Sequence, residues 1–160
     1  MSSVRTTAAL AWIVVACASS PAPAPSPPAA PAPAPTPAIE ATIEAAQRAV
    51  AKAPKDPQAR DVLGEALLLV GSLDRAERTF AEALELAPAF ANAHHGVAIV
   101  RFHRGDAAGG LAALQAGLVG LPAIDESYTR TRLLEGIAWA HALAGRDAEA
   151  RAAIEASVAA

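Results

Sequence analysis

Cysteine is nearly absent: the 160 residues hold one, Cys17, which excludes an internal disulfide framework and any zinc centre built on cysteine ligands. Aromatic side chains make up 4% of the chain against 53% hydrophobic residues in all, so alanine carries most of the apolar count. Closely packed helices accept that balance better than a β-sandwich, which draws on aromatic and β-branched residues. Basic residues show no surplus. Thirteen Lys+Arg stand against sixteen Asp+Glu, a net charge of −3, whereas a nucleic-acid binder usually shows a basic stripe. There is no glycine-rich phosphate loop, no serine nucleophile elbow and no Cys–His pair, so neither an enzyme nor a cofactor is expected. The length allows one modest domain with accessories, not two full ones.

What is present is unevenly distributed. Nine of the thirteen prolines fall between Pro21 and Pro37, so residues 18–37 read as an unpacked linker. Its composition favours extended polyproline II and would reach roughly 60 Å at about 3.1 Å per residue. Ahead of it, Arg5 is the only charged residue before Glu40 and is followed by the apolar run Ala8–Ala16. One positive charge and a short apolar run make the n- and h-regions of an export signal. The run is shorter than the roughly 20 residues that cross a bilayer as a helix. It closes on Val14-Val15-Ala16-Cys17, which resembles the bacterial lipobox: aliphatic, tolerant, small, then cysteine. That resemblance implies cleavage before Cys17, lipidation of Cys17 and anchoring in a membrane, each buried CH₂ adding about 0.8 kcal/mol. With Ala18 instead of aspartate after the cysteine, it implies the outer membrane of a two-membrane envelope. The same residues also fit ordinary cleavage at small side chains, which would free a soluble periplasmic or secreted protein.

Residues 38–160 are organised by a period. Pro54, Pro88 and Pro122 are separated by 34 and 34, and Gly71–Gly105, Phe80–Leu114 and Ala83–Gly117 keep the interval. Periods of this size mean stacked supersecondary units. Residues 57–90, with Leu63-Gly64, Leu67, Gly71, Ala76, Phe80, Ala83 and Pro88, resemble the tetratricopeptide repeat (TPR), a helix-turn-helix. Small residues at Gly64, Ala76 and Ala83 let two helices approach while Leu67 and Phe80 fill the gap. Asp56-Pro57 forms a cap and first helical residue, and Gly71-Ser72 and Pro88 end the two helices. Residues 91–124 form a second copy, with Val97, Ala98, Gly105, Leu114, Gly117 and Pro122 in register. Its second helix carries Gly109, Gly110, Gly117 and Gly120. At about 0.5–1 kcal/mol each relative to alanine, they should make it the softest helix. Residues 125–160 hold a third copy slipped by six residues, its first helix lengthened and capped by Asp125; Leu134, Ile137, Ala138, Gly145, Ala150 and Ile154 carry it. Residues 38–56 resemble a lone second helix. The expected fold is therefore all-α: a TPR α-solenoid of three repeats plus a half-repeat, seven helices. The alternative is alanine-rich helices packed without that geometry.

The TPR resemblance implies a concave groove lined by the first helix of each repeat, and a protein or peptide partner in it. The lining positions are Gln58, Asp61, Glu65, Leu68 and Leu69, then Asn92, His95, Ile99, Phe102 and His103, then Arg132, Glu135, Trp139, Ala142 and Leu143. Their three- and four-residue steps share one helix face. Phe102 and Trp139 are natural anchors for a partner helix, and Asp61 and Glu65 favour a basic segment. The acids also argue against a clamp for C-terminal carboxylates. His95 and His103 lie roughly 12 Å apart along one helix, too far to share a metal, and His94 and His141 fall at packing positions; a metal-dependent enzyme is the minor alternative. The second functional reading is a self-associating scaffold, since Ala152, Ala153, Ala156 and Ala160 make a helix face with no expected cover.

Overall fold

The computed structural model describes residues 36–121 and 127–159. Cys17, residues 18–35, Pro122, Asp125 and Ala160 lie outside them. Among the described residues there are seven α-helices and no strand: α1 (Pro37–Lys52), α2 (Pro57–Leu69), α3 (Leu73–Leu86), α4 (Ala91–His103), α5 (Ala107–Gly120), α6 (Ser127–Leu143) and α7 (Asp147–Val158). Each helix packs on its neighbours in sequence, and α4 also touches both α2 and α6. The helices α3, α5 and α7 make no such contacts with one another. The hairpins α2–α3, α4–α5 and α6–α7 thus stack with α2, α4 and α6 together on the inner side.

Local chemistry explains the boundaries. The Asp56 carboxylate accepts from the Gln58 N–H at 2.9 Å and Pro57 opens α2; Asp106 accepts from the Gly109 N–H at 2.8 Å and caps α5. Pro37 opens α1, one residue earlier than the 38 expected for the domain start. In every hairpin the turn is made by one glycine at positive φ: Gly71 at 69°, Gly105 at 78° and Gly145 at 68°. That region is open to glycine and strained for other side chains. The residue after each glycine donates back to the carbonyl five residues earlier, Ser72 to Leu67 at 3.0 Å, Asp106 to Arg101 at 2.9 Å and Arg146 to His141 at 2.9 Å. This is one C-terminal capping motif used three times, and it shows that the third hairpin is a true copy in spite of its slip. The slip lengthens α6 to 17 residues against 13 for α2 and α4.

The core runs along the stack as single large side chains set into gaps left by glycine. Phe80 in α3 is fully buried, and its ring lies where a Cβ on either Gly64 of α2 or Gly96 of α4 would collide with it. Leu114 in α5, 1% exposed, sits likewise against Gly136 of α6, where an added Cβ would come within 2.9 Å. Leu67, Val100 and Leu133 complete the largest buried side chains. Between the first two hairpins, Arg104 at the end of α4 pairs with Asp74 at 2.6 Å and with Glu77, both on α3. Of the α7 face expected to lie open, Ala152 and Ala156 are exposed and Ala153 is buried, while Ile154 and Val158 are exposed as well. Ala153 falls with Ala150 and Ser157 on the buried side of α7, so the open surface extends from the alanines to Ile154 and Val158.

Candidate protein-binding groove

The expected lining residues separate into a polar group and an apolar group. The polar group draws on all three inner helices: Asp61 and Glu65 from α2, His95 from α4 and Arg132 from α6. One Arg132 Nη stands 3.7 Å from Glu65 Oε1 and 3.1 Å from His95 Nδ1. Burial, and then the Arg132 charge, pushes the His95 pKa down to about 4, so the ring is neutral near pH 7 and Nδ1 accepts the guanidinium N–H. Asp61 departs from expectation. It is 2% exposed, with Oδ1 buried and unpartnered, so it is not an open charge that could meet a basic segment. Burial first, and the neighbouring Glu65 second, raise its pKa to about 7, with Arg132 opposing. Asn92 is half-buried with Oδ1 lacking a partner. The accessible acid on this side is Glu65.

The apolar group is shared by α4 and α6. The Phe102 and Trp139 rings meet edge to face, with centroids 4.8 Å apart and planes at 75°, a favoured aromatic geometry worth about 0.5–1.5 kcal/mol beyond area burial. With Ile99 and His103 they line an open depression of about 390 Å³. Trp139 is 49% exposed. Phe102 is half-buried, because Gly110 in α5 leaves its ring a seat. The glycines of α5 therefore have a packing role that the sequence reading treated as a weakness. Arg101 reaches from α4 over the same helix and donates to the Gly109 carbonyl at 3.0 Å.

The remaining lining residues fall elsewhere. Leu68 packs at the edge of the core rather than into the groove, while Leu69 is 71% exposed. Glu135 and Ala142 border a second depression of about 310 Å³ on the far side of Trp139, completed by Ala138, Ala150 and Ile154. Sequence reasoning missed this hollow and the exposure of Ile154. The signal was available, since Ile154 stands nine residues after its turn glycine, as Phe80 and Leu114 do. His94 and His141 are half-buried, His94 through Nε2 against the Pro88 carbonyl at 2.9 Å. Among the described residues, no group of three or more His, Cys, Asp or Glu is arranged to hold a metal ion. No described helix is long and apolar enough to cross a membrane.

No protein-family model matches the chain, and no curated protein does. Solved structures do. A crystal structure of MamA superposes with a TM-score of 0.61 at 18% identity, covering 75% of this chain and 67% of that one. A second, of MamA protein, gives 0.60 at 18% identity with 75% and 62% covered; a third, MamA MSR-1 C2, gives 0.56 at 18% with 75% and 66% covered. This chain thus spans about two thirds of the length of the MamA chains it matches. At such identity the likeness concerns the fold alone, and that fold is an all-α, TPR-type helical solenoid.

Proposed function

We propose that this protein is a non-catalytic adaptor held at a bacterial envelope membrane through lipidated Cys17, with residues 18–37 as its spacer and the inner side of α2, α4 and α6 as its docking groove. The lipobox-like Val14-Val15-Ala16-Cys17 and the proline-rich stretch after it support the anchor, and Ala18 in place of aspartate supports its placement on the outer membrane. The observation that carries the docking role is the partly exposed Phe102–Trp139 pair beside an open apolar depression. Partly exposed aromatics with a hollow next to them are the usual anchors of protein recognition. The partner is a protein segment, helical or extended, that seats one bulky apolar side chain against Phe102, Trp139 and Ile99. Its polar flank meets Glu65 and His103, which are exposed.

The test compares partner capture from envelope extracts by the full chain and by a Phe102→Ala, Trp139→Ala double variant. The variant is expected to keep its helicity, since Trp139 is 49% exposed and Phe102 half-buried, and to lose most captured protein. Anchors of this kind cost about 2 kcal/mol or more when truncated, a loss of thirtyfold or so in affinity. Undiminished capture by a helical double variant contradicts the groove assignment.

A further inference from the structure

The stack repeats one device, and its last occurrence is unfilled. Phe80, Leu114 and Ile154 each stand nine residues after a turn glycine. The first two are buried against Gly96 and Gly136 on the next inner helix. Ile154 is 51% exposed, and around it Val158, Leu143 and Trp139 are exposed to 84%, 61% and 49%. Four large apolar side chains on one end of a helical stack form a surface of the kind that marks an interaction site. The two inner interfaces state what fits there: a helix lying antiparallel to α7 that offers small side chains to Ile154.

The other end of the stack offers such a helix. Ile43, Ala46 and Val50 turn α1 toward α2, with Ala46 buried and the other two half-buried. The opposite face of α1 carries Ala41, Ala45 and Ala49, all exposed, on neighbouring turns. The charges match in the antiparallel sense. Arg48, in the second half of α1, would lie over Asp147 in the first turn of α7, on the same face as Ile154, and Glu44 would lie toward Arg151. We infer that the α6–α7 end face docks on the outer face of α1 of a second copy, head to tail, continuing the helix stack from one molecule into the next. The contact joins two different surfaces, so it builds open chains rather than closed dimers.

Sedimentation of the full chain tests this with two variants, Ile154→Asp, which blocks the end face, and Ala45→Glu, which blocks α1. Both positions are exposed, so both variants should fold, and circular dichroism confirms it. The wild type is expected to gain mass steadily with concentration. Each variant alone should sediment as a monomer, and an equal mixture should form dimers and nothing larger, because each supplies the surface the other lacks. Three results overturn the inference: a wild type that stays monomeric, a mixture that does not pair, or variants that still associate alone. The last would place the contact between like faces, α1 against α1 or the end face against itself, or within the first seventeen residues.

Discussion

Asp61 and His95 sit in one polar group, yet burial moves their titrations in opposite directions. The folded pKa of Asp61 is raised from 3.8 to about 7, so its carboxyl contributes stability below pH 4 that is lost as pH rises toward 7. His95 is lowered from 6.5 to about 4, so its contribution is present above pH 6.5 and is lost as pH falls toward 4. In the wild type the two trends offset each other across this window. Asp61→Asn should leave a stability that climbs from about pH 4 to 6.5, and His95→Gln one that declines from about pH 4 to 7. Melting temperatures measured across that range check both, and parallel profiles for the two variants contradict the account. None of this was visible in sequence. Spacing placed Asp61 on the groove face, but its 2% exposure arises only in the assembled stack, which no local pattern encodes. Arg132 reaching back to Glu65 and His95 is a contact between residues 67 and 37 positions apart in the chain.

At the level of helices and turns far more was legible. The interval of 34 between Gly71 and Gly105 marked two turns that the structure makes with positive φ and the same back-bonded motif. Turn chemistry is local, so a single sequence states it. The six-residue slip before Thr131 was likewise readable, and it emerges as the longer α6. On α7 the expectation held for Ala152 and Ala156, which are exposed, and failed for Ala153, which is buried, because small side chains say little about which side faces the neighbour; the exposure of Ile154 and Val158 was not anticipated. Helix-to-helix spacing rests on the glycine seats. Gly96→Ala would drive a methyl into the Phe80 ring between α2 and α4. Overpacking of this kind costs about 1–3 kcal/mol, and chemical denaturation should show a midpoint lowered accordingly. An unchanged midpoint would mean that the two helices are free to separate, contrary to the packing described.

At the scale of the whole molecule, the proposed function needs a groove, a spacer and an anchor. The anchor is tested by fractionation: Cys17→Ala should move the protein out of the membrane fraction, and retention there contradicts lipid attachment at that residue. The groove matters most, since without it the stack is a scaffold with no assigned docking face. A photo-crosslinking residue placed at Trp139, on the inner side, and in a separate strain at Glu85, exposed on α3, reads the docking face in intact cells. The groove account predicts covalent protein adducts from position 139 that are absent from position 85. Adducts from 85 with none from 139 would contradict it.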